Sequence, residues 1–361
     1  MKKTIITAMA CTLLAGIAHA QEAKPSWADS VKLKGDVRFR FESIDQEGKE
    51  TRDRARIRAR IGAYATISDE IDAAIGLASG NDDPLSTNET LDGGFSSKGI
   101  NLDLAYIDLH PGALPGSIIL GKMKKPFVTV NDLVWDGDLN PEGAALNLAF
   151  GEGVKIHVNA GAFWVEERSS DDETMLYSAQ AAAEMAMDAA KVTAGASYYM
   201  YDNMAGFAPV YDAGEDFGNT VIEDADGNLT YAYDYEIFEL FAKVGLNAGM
   251  PIDLTASYVV NQEADDNDIG YMFGIKLGKA KDPGSFDVGY SFRELEADAV
   301  VGAFSDSDFV GGGTDGSGHK LSLNYAIAKN FMGSLTYFMS EKGIDNGVDY
   351  DRLQLDVAVK F

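Results

Sequence analysis

Six arginines stand at even positions in two neighbouring stretches, Arg38 and Arg40 in the first and Arg54, Arg56, Arg58 and Arg60 in the second. The odd positions between them are apolar: Val37, Phe39 and Phe41, then Ala55, Ile57, Ala59 and Ile61. A period of two is the signature of a strand, which turns alternate residues to opposite faces. All six guanidinium groups therefore share one side of a sheet. They stay protonated at any physiological pH, so they form a fixed positive wall whose chemistry is electrostatic selection, not bond making. If the apolar side meets lipid, an arginine turned the same way would cost about 2–4 kcal/mol at the bilayer midplane, so the arginines must face an interior. Lys122 adds a seventh cation, and the segment 123–142 after it carries Asp132, Asp136, Asp138 and Glu142. Folded inward, those acids would oppose the basic wall and set a transverse field. Left outside, they would be solvated loop charges, the usual place for charged residues.

The elements that must hold such a wall are strands throughout. Runs with strand-like patterning fall near 31–41, 54–61, 71–79, 100–109, 117–122, 143–150, 154–165 and 175–187. Others fall near 190–202, 235–247, 252–261, 269–278, 285–295, 319–327, 331–340 and 350–361. The total is about 16, an even number within the range of bacterial single-chain barrels. Connectors alternate in length: Ser68–Glu70, Gly151–Gly153, Met187–Ala189, Ala248–Pro251 and Ala328–Asn330 are short. Segments 80–98, 123–142, 203–233, 262–268, 296–318 and 341–349 are long and polar. Short turns on one rim and long loops on the other describe a transmembrane, antiparallel, up-and-down all-β barrel; a β-sandwich has no reason to alternate so. The last run, Tyr350 to Phe361, sets Leu353, Leu355, Val357, Val359 and Phe361 against Arg352, Gln354, Asp356 and Lys360, and serves as the closing strand. Phe286, Val288, Tyr290 and Phe292, like Leu321, Leu323, Tyr325 and Ile327, supply further lipid-facing rows, with their polar neighbours turned to a wet lumen. The alanine-rich run near 177–187 is read as a strand from its neighbours, since its own propensity is helical.

Composition narrows the class. The chain begins Met1-Lys-Lys, continues through an apolar core and reaches Ala18-His19-Ala20, which describes a cleavable signal over residues 1–20. Residues 21–29 form a short periplasmic lead, and 30–361 the barrel. Cys11, the single cysteine, lies in the signal, so disulfides and thiolate metal sites are excluded from the mature chain. The chain has 57 acidic against 30 basic residues, a formal charge of −27, which disfavours a nucleic-acid partner. Exposed loop charges are screened within about 8 Å at physiological salt, so net charge does not set selectivity; a constriction does.

Three stretches carry a family resemblance over nearly the whole mature chain. They are Leu120-Gly-Lys-Met-Lys-Lys-Pro-Phe127 with Asp132-Leu-Val-Trp-Asp-Gly-Asp-Leu-Asn-Pro-Glu-Gly143, Asp282-Pro-Gly-Ser-Phe-Asp-Val-Gly-Tyr-Ser-Phe-Arg293, and Asp306-Ser-Asp-Phe-Val-Gly-Gly-Gly-Thr-Asp-Gly-Ser-Gly-His319. The chain resembles the putative porins of Gram-negative outer membranes. The resemblance implies a sixteen-stranded channel for passive diffusion of small hydrophilic solutes and ions, with an inward-folded third loop at 123–142. It also implies an outer-membrane location among lipid and lipopolysaccharide, with Phe361 as the signal read by barrel-assembly machinery. A homotrimer is the assembly suggested by analogy with sixteen-stranded porins. The alternatives are a substrate-selective anion channel of the same fold and, from another class, a non-conducting structural barrel or an outer-membrane enzyme.

Nothing else in the sequence builds a catalytic or cofactor site. His110, His157 and His319 are widely separated, without metal-binding spacing, and no nucleophile-elbow motif occurs. Asp224-Ala-Asp-Gly-Asn-Leu-Thr230 starts like a calcium loop, but Leu229 replaces the required glycine and Tyr235 the bidentate glutamate; it reads as an acidic turn. Asp306, Asp308 and Asp315 read as an acidic outer loop able to attract divalent ions, and Gly311–Gly313 as a flexible part of it. No catalytic residue, cofactor or metal is expected.

Overall fold

The computed structural model describes residues 30–345 and 347–361; the signal and lead expected over 1–29 lie outside the described residues. Sixteen strands follow in order: β1 (Val31–Gln46), β2 (Arg52–Ser68), β3 (Ile71–Ser79), β4 (Ile100–Leu109), β5 (Gly116–Lys122), β6 (Glu142–Phe150), β7 (Val154–Glu166) and β8 (Thr174–Ala186). Then come β9 (Ala190–Asp202), β10 (Tyr235–Asn247), β11 (Pro251–Asn261), β12 (Ile269–Gly278), β13 (Phe286–Leu295), β14 (Gly316–Ala328), β15 (Phe331–Lys342) and β16 (Val348–Lys360). Each pairs antiparallel with its sequence neighbour, and β1 pairs with both β2 and β16, so the sheet has no free ends. At the seam Gly35 N–H donates to Phe361 O and Phe361 N–H to Gly35 O, both at 3.0 Å. A side chain on Gly35 would meet the Phe361 ring at 2.5 Å, so the glycine makes room for the terminal aromatic.

The burial pattern is inverted relative to a water-soluble barrel. On β1, outward Leu33 and Val37 are 64% and 52% exposed, whereas inward Glu42 is fully enclosed at 0%. On β16 the outward residues Leu355, Val357 and Val359 are likewise exposed and Arg352 and Gln354 buried. Such a surface is stable only where the outside is hydrocarbon, which requires every backbone polar group to be paired; closure supplies that. The alanine-rich run is strand β8, with Leu176, Ser178, Gln180 and Ala182 inward and Tyr177 outward.

Strand ends depart from the sequence reading in instructive ways. β1 and β2 run to 16 and 17 residues, because their ladder continues past the last lipid-facing residue through Glu42↔Arg54 and Ser43↔Asp53. β14 begins at Gly316, inside the segment expected as loop, since Gly316 and Gly318 have no side chains to show alternation. Two short pieces carry no sequence signal. Glu89–Thr90 pairs with Arg56 and Ile57, covering the part of β2 that extends beyond the end of β3. Val221–Glu223 and Leu229–Tyr231 form a hairpin in the loop between β9 and β10. At its tip the Asp224 carboxylate accepts from the backbone of Asp226 and Asn228, an acidic turn as the sequence suggests.

The largest departure lies inside the barrel. Loops 123–141, 203–234 and 296–315 pack against the inner faces of β7 to β13 and bury an apolar core there. Leu133 and Trp135 from the first loop and Val300, Val301 and Ala303 from the last meet Phe163, Tyr199, Tyr201, Ile237 and Leu295 from the strands. Aromatic stacking lines this core: Trp135 lies 6.3 Å from Phe304, and Tyr201 6.3 Å from the same ring. Gly311, Gly312 and Gly313 all take positive φ. A Cβ on Gly313 would stand 2.2 Å from the Phe217 carbonyl oxygen, so this turn is a close-packed contact between loops.

Candidate constriction and its charged wall

The arginine wall occupies the inner face where β16, β1 and β2 meet. The register sets Arg38 opposite Arg58 and Arg40 opposite Arg56, an arrangement that repels unless carboxylates intervene. They intervene from the same strands. Asp36 accepts from Arg58 at 2.8 Å and from Arg60 at 2.8 Å. Asp356 takes Arg40 in a bidentate pair at 2.7 and 2.8 Å. Glu42, fully buried, accepts from Arg54, Arg352 and Gln354.

Two inward loops complete the network. From 123–141, Asp138 accepts from Arg60 at 2.9 Å and lies 3.8 Å from Arg58. From 296–315, Asp308 lies 2.7 Å from Arg352 and 3.2 Å from Arg40. Arg352 also donates to the carbonyl oxygens of Ser307 and Asp308 at 3.1 Å, pinning that loop to the wall. Seven guanidinium groups thus meet five carboxylates. The surplus falls on Arg38 and Arg56. Arg38 is held by Asn88 Oδ1 at 2.5 Å and reaches Asp356 only at 3.7 Å. Arg56 donates to Ser86 Oγ and Asn88 O, each at 3.4 Å, and among the described residues no carboxylate lies within ion-pair distance of it.

Of the four loop acids, Asp138 alone reaches this wall. Asp132 points elsewhere, to Arg293 at 2.8 Å and Lys320 at 3.2 Å on the luminal faces of β13 and β14. Against the burial that would raise it, Lys320 and Arg293 hold Asp132 well below the usual carboxylate range. Asp136 joins the two inward loops: its carboxylate accepts from the backbone N–H of Ser307 at 2.9 Å and of Asp138 at 2.7 Å. Burial, with Asp306 close by, pushes it up to about 7. Glu142 pairs with Lys122 at 2.7 Å, away from the arginines. Asp306 and Asp308, read from sequence as outer-loop acids, are both drawn inside; Asp306 pairs with Arg293 at 2.8 Å. Asp315 instead accepts from Ile344 N–H at 2.9 Å.

Sequence reasoning missed Asp36, Glu42 and Asp308 as partners of the wall and Arg293 as the anchor of both inward loops. A signal existed for the first two, since both stand two residues from an arginine on the same face of β1. For Asp308 and Arg293 there was none, because loop placement depends on contacts remote in sequence.

Water-sized space lies on both sides of the contact between Asp138 and Arg60. Towards the long-loop mouth is a cavity of about 710 Å³, lined among others by Asp83, Asp103, Lys122, Trp135, Asn140 and Tyr211. Towards the short-turn rim is a recess of about 200 Å³, lined by Lys34, Asp36, Arg60, Asp103, Lys124 and Lys360. Asp103 borders both, so the two spaces adjoin beside the charged wall. The histidines stay apart: His110 lies 3.2 Å from Asp72, and His319 contacts the Tyr290 hydroxyl at 2.9 Å.

Comparison with known proteins agrees with this architecture. Among solved structures, OprB of Pseudomonas putida superposes with a TM-score of 0.65 at 11% identity, over 92% of this chain and 94% of that one. OmpF of Salmonella typhi, in complex with daunomycin, gives 0.56 at 12% identity over 92% and 97%. The outer-membrane protein OmpT of Vibrio cholerae, in its trimer form, gives 0.53 at 14% identity over 92% and 100%. These likenesses speak to the fold. No curated protein matches the chain. The family model described as "Putative porin" matches residues 45–220 and 215–361. The chain belongs to that family, and is an outer-membrane porin built on a closed sixteen-stranded barrel.

Proposed function

We propose that the channel admits small hydrophilic solutes and ions by passive diffusion along the arginine wall, without a catalytic step, metal or cofactor. The observation that carries this reading is the pair of adjoining cavities at Asp103, on either side of the contact between Asp138 and Arg60. A solute passing there moves along the joined charges of Asp138, Arg58, Arg60 and Asp36. Opposed fixed charges at close quarters select by size and charge. Lys122 and Glu142 line the mouth cavity instead, and Asp132 and Asp136 brace the loop that carries Asp138.

The surplus of guanidinium groups at Arg38 and Arg56 favours a second reading in which the constriction prefers anions. Planar-bilayer recording across a salt gradient tests both. Stepwise conductance supports the channel, and its absence removes it. A reversal potential of the sign for anions supports the second reading, and one of the opposite sign removes that alone.

The remaining proposals concern assembly. Residues 1–20 act as an export signal, 21–29 as a periplasmic lead, and Phe361 as the contact for barrel-assembly machinery in a membrane of lipid and lipopolysaccharide. A homotrimer fits the trimer form of the Vibrio relative. Crosslinking in native membranes checks the trimer, and deletion of Phe361 should lower the amount of folded barrel.

A further inference from the structure

The mouth cavity adjoins the arginine wall but has the opposite charge. Its carboxylates are Asp82, Asp83, Asp103, Glu142 and Glu166, and its one ammonium, Lys122, is already paired with Glu142 at 2.7 Å. Its apolar surface includes five aromatic rings, from Trp135, Phe163, Trp164, Tyr211 and Phe304. At about 710 Å³ it lies within the range of small-molecule clefts, roughly 300–1,000 Å³.

A separate observation points to a donor ligand. Asn140 lines the cavity and is only 5% exposed. Its Nδ2 donates to Asp103 Oδ1 at 2.7 Å, and its Oδ1 is buried and, among the described residues, meets no donor. A buried acceptor without a donor is costly, about 1–3 kcal/mol, and a ligand N–H would relieve it. The acids also gather about one ring: burial and then Asp83 and Asp82 push the Tyr211 phenol up to about 12. Tyr211 is fixed beside them by its N–H, which donates to Glu166 Oε1 at 3.0 Å.

We propose that this cavity is a vestibule site for small organic cations with an apolar face, the ammonium meeting Asp82, Asp83 and Asn140 Oδ1 and the apolar part lying against Trp135 and Tyr211. Carboxylates attract the charge, and aromatic faces favour cations directly. The site stands before a wall with surplus guanidinium charge, so a bound cation is retained at the mouth and obstructs flow. This deepens the channel reading and rests on it for the route by which the cation arrives.

The test uses the folded full-length barrel in detergent. Two of the three tryptophans, Trp135 and Trp164, line the cavity, so intrinsic fluorescence reports occupancy. Titrated with 2-phenylethylammonium and, separately, with neutral 2-phenylethanol, the barrel should bind the cation about tenfold more tightly, a difference near 1.4 kcal/mol. The double variant Asp82→Asn, Asp83→Asn keeps the hydrogen-bonding shape and should bind the cation no better than the alcohol, with alcohol binding unchanged. Equal binding of both probes by the unaltered chain, or an unchanged preference in the double variant, overturns the proposal. Bilayer recording is run alongside. Conductance without cation preference removes the vestibule and keeps the channel; cation preference without conductance does the reverse.

Discussion

Two inner walls of this barrel have the same strand geometry and opposite contents. Where β16, β1 and β2 meet, the inward residues are arginines and carboxylates joined in one network. Across the lumen, the inward residues of β7 to β13 include Phe163, Tyr199, Tyr201, Ile237 and Leu295, sealed beneath three loops. Outside, both walls present exposed apolar rows, such as Val37 and Phe39 on one and Leu240 and Tyr258 on the other. The lipid-facing pattern is thus common to both, and only the inner residues divide the interior into an apolar packed half and a charged half. The inward loops serve both walls: residues 132–139 contribute Trp135 to the packed half and Asp138 to the charged one.

The sharpest way to break this division is to unbalance the buried network. Glu42→Gln leaves Arg54, among the described residues, without a carboxylate and Arg352 with Asp308 alone, and loss of one partner from a buried pair costs about 3–5 kcal/mol. The folded fraction of the variant, followed by heat-modified gel mobility, should fall steeply. A change of the same kind at an exposed ion pair, Lys191→Gln beside Glu184, serves as the contrast and should do little.

Next in size is the anchor between loops and strands. Arg293 holds Asp132 and Asp306 at 2.8 Å each and lies over the Phe309 ring at 4.4 Å. Arg293→Gln should loosen both inward loops and raise single-channel conductance and its noise, measured in a planar bilayer. A change in stability with identical conductance would mean that the loops are held by the apolar core alone.

Charge reversal on the wall itself should change selectivity in the channels that fold. In the pair Arg56→Glu, Arg58→Glu the reversal potential should move towards cation preference; an unchanged value would remove both residues from the passage. A smaller effect is expected from Asp136. Its folded-state value of about 7 lies above its ordinary value of 3.8. Between those values the folded chain holds a proton that the unfolded chain has released, so the contribution of Asp136 to stability is greatest at the acid end and is lost as pH rises towards about 7. The melting temperature should show that decline, and Asp136→Asn should flatten it.

The outer face and its closing strand were legible because one rule, alternation, acts on every residue of a lipid-facing strand. Leu355, Val357 and Val359 opposite Arg352 and Gln354 are readable without any neighbour. The arginines were readable for the same reason, since a bilayer penalises the alternative. The partners of those arginines were less so. Asp36 and Glu42 lay in view on the right face, but nothing in a single strand says which inward charges meet. Asp132 and Asp138 stand six residues apart in one loop and end against different walls. Their placement follows from Trp135 and Leu133 packing into the apolar half, a tertiary event with no local period. The apolar inner faces of β9 and β10 depart from the polar lumen that alternation predicts, and the loops covering them explain why Tyr199, Tyr235 and Ile237 avoid water.

Cysteine accessibility tests the division most directly, because the single cysteine of the sequence, Cys11, lies in the expected signal and the described residues have none. Arg56→Cys and Ile237→Cys place one thiol on each wall. A charged, water-soluble thiol reagent added to the reconstituted channel should react with Cys at position 56 and shift its conductance, and should leave the thiol at position 237 unmodified. Equal reaction at both positions, or reaction at 237 alone, would contradict a passage confined to the charged wall.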